Sequence, residues 1–445
     1  MALGALHDGY TLAKSMPGVP LLSLSFTPPP SLDPNLSGAA ACHQLLLHRY
    51  PQQAQSLNNA WDFWAGLFNV PSPPVGVSEG FGRMVGDAVH LLGIHDRQVG
   101  SAQNYAPGGA YRHDRPPSEP NQRFAGTDWG KANHLVSTRV MGFATPPGRT
   151  GPLAVTPTAH FAADFQKVQN KGADAKRART DMEEVIGIYW GYDGPPELGT
   201  PPRLYMQVVL TVLDEIEARN PEGLSEEEEL LIIAATALAM ADAGIEAWHY
   251  KYSDDHMMWR PVLGIPYGLG SLSPPESGWL PLGRPDTNQN GLRLTPDFPA
   301  YPSGHATFGA AAFQLLRIYL VQKGLAQYDS SGNGKDNAAF CFVSDEYNGR
   351  NNDPRTGTPR SKLPLKYQSL WDAIIDNSVS RVFLGVHWQF DGVTIKGVDP
   401  DGEFGLPMEP RQLGRRGGVW LGCQVANQVA TRIGVSDPVI AASLP

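Results

Sequence analysis

Apolar residues recur at helical spacing in a series of blocks along the chain, and stretches rich in proline and glycine separate the blocks. Over residues 60–68 (AWDFWAGLF) and again near 80–92, apolar positions return every three or four residues, which places them on one face of an amphipathic helix. The same period runs through 165–190 and 202–217, with the turn-rich segment 191–201 between them. Residues 225–250 form a further long block, and Ser225 followed by Glu228 is a capping signature at its start. Three further blocks cover 307–323, 368–384 and 418–433. No segment alternates apolar and polar residues with comparable strength, so the prediction is an all-α protein whose successive helices pack as bundles.

The first 130 residues read differently. Short helices are set in loops there: prolines cluster at 28–30 and 71–74, and 103–130 is dense in turn formers. The expected organisation is an N-terminal helical and loop region, 1–130, packing on a helical-bundle region, 131–445, that carries the chemistry.

Composition narrows the function class. A chain of 445 residues with 41% hydrophobic and 18% charged residues suits a globular enzyme and excludes a solvated scaffold or a coiled coil. Its net charge of −9, with no basic run, argues against a nucleic-acid partner. The longest apolar run, 230–241, is closed by Asp242 and falls short of the roughly 20 residues that span a bilayer, so a soluble chain without a membrane partner is expected. The N-terminus lacks the basic start and continuous apolar core of a secretory signal. Cys42, Cys341 and Cys423 are odd in number and far apart, which indicates neither a disulfide framework nor a zinc site. The 48 glycines and 40 prolines predict long ordered loops. Nothing in the sequence bears on oligomeric state or on cellular location.

An anion bound by so acidic a chain needs a local cluster of positive groups, and four short words supply one: Trp259-Arg260-Pro261, Tyr301-Pro302-Ser303-Gly304-His305, Ser380-Arg381, and His387 with Asp391 four residues on. Ser303 falls at the start of a helical pattern, so the free amides of Gly304 and His305 form an oxyanion site at a helix N-terminus, or Ser303 is an ordinary cap. Arg381 falls near the end of a helix that Gly385 terminates, with His387 just beyond. Asp391 is spaced to accept from one ring nitrogen of His387 and leave the other free as ligand or nucleophile. Taken singly, Arg260 reads as a surface arginine stacked on an aromatic ring and Lys251 as a solvated charge. Together, two guanidiniums, a lysine, helix-start donors and two histidines are what a tetrahedral or trigonal oxyanion requires, and phosphate and vanadate both fit.

The ordered series Lys251, Arg260-Pro261, Pro302-Ser303-Gly304-His305, Ser380-Arg381, His387 and Asp391 resembles the signature shared by vanadium-dependent haloperoxidases and acid phosphatases of the type 2 phosphatidic acid phosphatase superfamily. The strings PDFPAYPSGHATFGAAAF, SVSRVFLGVHWQFD, AGIEAW and YDGPPELGTPPR extend the resemblance, toward fungal haloperoxidases, over about residues 130–435. It implies two four-helix bundles with long connecting loops and an anion site at the core of one. It also implies vanadate as cofactor, in a site that phosphate or sulfate can occupy, with His387 as axial ligand and Lys251, Arg260, Ser303, the Gly304 amide and Arg381 around its oxygens. His305 would take the proton from incoming hydrogen peroxide, Asp193 would steady Arg381 and His305, and Asp391 would support His387. The activity implied is oxidation of halide, chloride or bromide, to a hypohalous acid equivalent that halogenates a small organic acceptor. Vanadium would act there as a Lewis acid of constant oxidation state.

Trp248, Pro296 and Phe298 resemble the apolar halide pocket of chloride-oxidising members, where such a wall strips water from the halide, although Phe298 also reads as core packing. The alternatives within the resemblance are a soluble acid phosphatase, with His387 as nucleophile and His305 as leaving-group acid, and a vanadium-independent biosynthetic relative. One spacing departs from the fungal pattern: Lys251 and Arg260 are two residues further apart. Counting back from Arg260 reaches Ser253, counting forward from AGIEAW reaches Lys251, and Lys251 is the expectation here. Two extra residues turn a helix by about 200°, so that choice decides where a cation points.

Overall fold

The predicted block 225–250 becomes the longest helix among the described residues. In the computed structural model, which describes residues 1–14, 18–67, 75–93, 105–330, 334–395 and 406–435, Glu226–Lys251 is a single helix. Ser225 and Glu228 close a reciprocal capping box at its start, and four glutamates in the first turn face the positive end of its dipole. By length and composition it could cross a membrane, yet 72% of its apolar window is buried inside the fold.

In chain order the helices are α1 (Ala2–Ala13), α2 (Pro34–Arg49), α3 (Ala54–Leu67), α4 (Val75–Leu92), α5 (Ala159–Lys171), α6 (Asp181–Tyr189) and α7 (Pro201–Arg219). They continue with α8 (Glu226–Lys251), α9 (Pro261–Tyr267), α10 (Gly304–Gln322), α11 (Leu370–Phe383), α12 (Gln389–Gly392) and α13 (Gly418–Arg432). Strands among the described residues are limited to three two-stranded antiparallel pairs, the longest joining Phe340–Val343 to Pro364–Tyr367 in the register Phe340 to Tyr367. The all-α expectation therefore holds.

Helix α10 is the axis of the core: every residue from Gly304 to Leu320 is buried, as expected of a helix apolar on all sides. It packs against α7, α8, α11 and α13. The α13 contact is backbone-close because Gly422 has no side chain; a Cβ there would lie 2.3 Å from the carbonyl oxygen of Thr307. Helices α5 and α6 lie against α11, and α1, α2 and α4 pack together with α1 also touching α8.

Two sequence expectations change. The block 165–190 is two helices, because the chain leaves α5 at Gly172 and restarts α6 with a Thr180–Glu183 capping box. Arg179 fastens the break by donating to the carbonyls of Lys171 and Ala173 at 2.6 and 2.7 Å. The N-terminal region is more helical than its composition suggests, with α2 and α4 running 16 and 18 residues. Phe68, the prolines at 71–74 and Gln103 lie outside the described residues.

Candidate active site

Three helix ends meet at one buried point. The first is the start of α10, where Ser303 is the N-cap and its hydroxyl accepts from the Ala306 amide at 3.4 Å. Ser303 is thus a cap, and the first-turn amides of Gly304 and His305 have no intrahelical acceptor. Its own N–H donates to the carbonyl of Asp391 at 2.7 Å, which ties α10 to the second end.

That second end is the α11–α12 junction. Gly385 takes φ of +71°, a left-handed conformation that closes the helix, and the His387 amide turns back to the Arg381 carbonyl at 3.3 Å. The Asp391 carboxylate accepts from His387 Nδ1 and from the Trp388 amide, both at 2.9 Å. With Nδ1–H so engaged, Nε2 of His387 carries the ring lone pair and accepts from Arg260 Nη1 at 3.0 Å.

The third end is the start of α9, capped by Arg260. Its Nε donates to Phe298 O at 2.9 Å and its Nη1 to Val386 O at 2.8 Å. Arg381 gives one Nη to Asp193 at 2.6 Å. Asp193 also lies 3.9 Å from His305 Nε2, too far for a hydrogen bond.

What remains is a set of buried atoms without a protein partner: Nη2 of Arg260, Nε and Nη1 of Arg381, and Nε2 of His305. Both arginines are at most 1% exposed. Buried donors are normally satisfied, and unpaired buried guanidinium N–H groups are costly. An acceptor carrying several oxygens, placed against Nε2 of His387, would satisfy these guanidinium N–H groups together. The donor set therefore fits an oxyanion such as vanadate or phosphate.

The surroundings of the ionisable groups carry the same signature. Burial, then Arg381 and only against the opposing pull of Asp193, pushes His305 down to about 3. Burial followed by Arg260, Lys251 and Arg381 holds His387 well below the usual imidazole value. Burial would raise the Asp193 carboxyl, but Arg381 and His305 outweigh it and hold it below the usual range. Asp391 is driven upward by burial, with Lys251 opposing. Burial and neighbouring cations lower both histidines, and an added anion would raise them again.

Lys251 is fully buried, and its ammonium donates to the carbonyls of Pro299 at 2.7 Å, Ala300 at 3.1 Å, and Pro302. Burial and then Arg260 push its pKa down, but three carbonyl acceptors require three N–H bonds and hence the charged form. The ammonium lies 5.0 Å from the Phe298 ring and 5.5 Å from that of Trp248. Ser253, the other residue the spacing allowed, bonds Tyr250 O and meets His256 Nδ1, each at 3.0 Å, away from this cluster.

A cavity of about 340 Å³ opens onto Gly304, His305 and Asp193. Trp248, Pro296 and Phe298 form part of its wall, with the Trp248 and Phe298 rings 4.7 Å apart. Among its lining residues sequence reasoning missed Trp129, Phe308 and two charged groups, Arg284 and Asp297. Trp129 reaches it from the N-terminal loops, 4.6 Å from Trp248, because Gly130 lies where a Cβ would come within 2.2 Å of the His249 backbone. Gly130, directly after Trp129, is the one signal that could have marked it.

Comparison with known proteins gives a consistent result. Residues 231–396 match the family described as the VCPO second helical-bundle domain. The chain is 32% identical over 356 residues to vanadium chloroperoxidase of Curvularia inaequalis, an alignment covering 72% of this chain and 57% of that protein. The match thus spans less than two thirds of its relative. Two solved structures share the fold: a bacterial vanadium-dependent iodoperoxidase (TM-score 0.64, 18% identity, 98% of this chain and 91% of that one) and an apo-type bacterial vanadium-dependent chloroperoxidase (0.64, 14%, 97% and 91%).

Proposed function

On the premise that this chain belongs to the vanadium haloperoxidases, as residues 231–396 and the Curvularia relative indicate, we propose that it binds vanadate and oxidises halide with hydrogen peroxide to a hypohalous acid equivalent. The observation that carries the reading is the set of buried, unpartnered guanidinium nitrogens on Arg260 and Arg381 gathered around Nε2 of His387, with the unpartnered Nε2 of His305 as a proton acceptor. When bound, vanadate supplies a Lewis-acid centre of constant oxidation state that polarises hydrogen peroxide.

The protein's own residues do the rest. His387 offers Nε2 as the ligand because Asp391 occupies Nδ1. Arg260 Nη2, the two unpartnered nitrogens of Arg381, Nε and Nη1, and the first-turn amide of Gly304 would hold the vanadate oxygens. Asp193 fixes the plane of the Arg381 guanidinium through one Nη. Neutral His305, with Nε2 free in the cavity floor, takes the proton of hydrogen peroxide. Lys251 contributes positive charge, since its N–H bonds are already directed at the 299–302 carbonyls. Trp248, Pro296 and Phe298 exclude water from the halide.

The test is peroxide-dependent bromination of a phenol with and without orthovanadate, run beside hydrolysis of p-nitrophenyl phosphate. Bromination that depends on vanadate is the expected result. Phosphate hydrolysis without bromination would transfer the site to the phosphatase reading.

A further inference from the structure

The cavity above His305 holds more than a halide requires. At about 340 Å³ it has the size of a small-molecule site, and Trp129, Trp248, Phe298 and Phe308 give it four aromatic walls. Two opposite charges, Arg284 and Asp297, line the same space. Neither forms an ion pair with another side chain among the described residues, and the one hydrogen bond of the Arg284 guanidinium is a long one, 3.3 Å, to the Asp193 carbonyl. A carboxylate and a guanidinium left apart on an aromatic-walled cavity are the two groups that a phenol uses: one accepts its O–H, the other stabilises the oxygen as it becomes negative.

We propose that this cavity binds a phenolic acceptor and activates it for halogenation, with Asp297 as general base, Arg284 as the partner of the developing phenolate, and Trp129 as a stacking wall. The proposal takes its oxidant, the hypohalous acid equivalent, from the haloperoxidase reading. The phenol O–H bond breaks and its proton passes to the Asp297 carboxylate. An ortho or para ring carbon bonds to the halogen while the halogen–oxygen bond breaks, its electron pair leaving with oxygen. The displaced ring proton converts that hydroxide to water, and Asp297 returns its proton to the phenol oxygen. The ring is oxidised by two electrons and the halogen reduced by two. Burial raises the Asp297 carboxyl, against the pull of Arg284, which makes it a better base than a solvated aspartate.

Calorimetric titration with 2-naphthol and with 2-methoxynaphthalene tests this, in phosphate buffer that saturates the cation cluster and without peroxide or halide. Wild type should bind 2-naphthol at one site per chain and at least about tenfold more tightly than its methyl ether, the usual worth of a hydrogen bond to a charged group. Asp297→Asn should bring the two affinities within about twofold. Arg284→Gln, an independent second variant, should shrink the difference, and Trp129→Ala should weaken both ligands alike. Equal affinities in wild type, or a preference that survives Asp297→Asn and Arg284→Gln, would overturn the proposal. The titration contains no vanadate, so its failure is separate from failure of the haloperoxidase reading, which bromide oxidation reports.

Discussion

His387 Nδ1 lies 2.9 Å from the carboxylate of Asp391, and the carbonyl of the same aspartate receives the Ser303 amide at 2.7 Å. One residue therefore fixes both the tautomer of the proposed ligand and the position of the helix start opposite it. Asp391→Ala should leave the imidazole free to turn or to protonate Nε2. Orthovanadate affinity should fall about 10–100-fold, the usual cost of losing such a support. Fluorescence or calorimetric titration of the variant measures this, and an unchanged affinity would remove Asp391 from the account.

His305→Ala should keep orthovanadate affinity and lose turnover by about 10² to 10⁴-fold, the range for a positioned proton transfer. Loss of affinity in place of turnover would make His305 a holder of the anion and leave the proton without an acceptor.

The low pKa of His305 also has a sign in stability. The unfolded imidazole titrates near 6.5 and the folded one near 3, so between those values the unfolded chain holds the extra proton. Stability from this group is present above about pH 6.5 and is lost as pH falls toward 3. A bound oxyanion favours the imidazolium and narrows that window. Thermal midpoints recorded from pH 7 to pH 4 should drop less steeply with orthovanadate present than without it. Identical slopes would show that the anion does not reach His305.

Lys251→Met should destabilise the fold by about 2–4 kcal/mol, because it strips three buried carbonyls of their donor. Denaturant unfolding reads that loss. Halide oxidation should fall further than orthovanadate affinity, since Arg260 and Arg381 still hold the anion; a fully stable Lys251→Met protein would contradict the contacts described.

Much of the cation cluster was legible because its logic is local. A serine before a helical run, an arginine before a helix-ending glycine, and a histidine four residues ahead of an aspartate each define geometry over one or two turns. The choice of Lys251 over Ser253 needed the fold, since only packing shows that the extra residues leave Ser253 bonded to Tyr250 and His256. Trp129 and Arg284 were not legible because they reach the cavity from separate loops, and Asp297, although it stands between Pro296 and Phe298, belongs to no local motif that marks its side chain. Helices α1 and α2 were missed for a different reason. They pack through small residues, and a Cβ on Gly9 would stand 2.8 Å from that of Ala41, so close contact replaces the strong apolar period that sequence reading relies on.

The central claim is that His387 and the unpartnered guanidinium groups form one oxyanion site. Calorimetric titration with orthovanadate in phosphate-free buffer tests it most directly. The account predicts a single site per chain, displaced by phosphate and abolished in His387→Ala. Absence of binding to the wild type, or equal binding by His387→Ala, would contradict it.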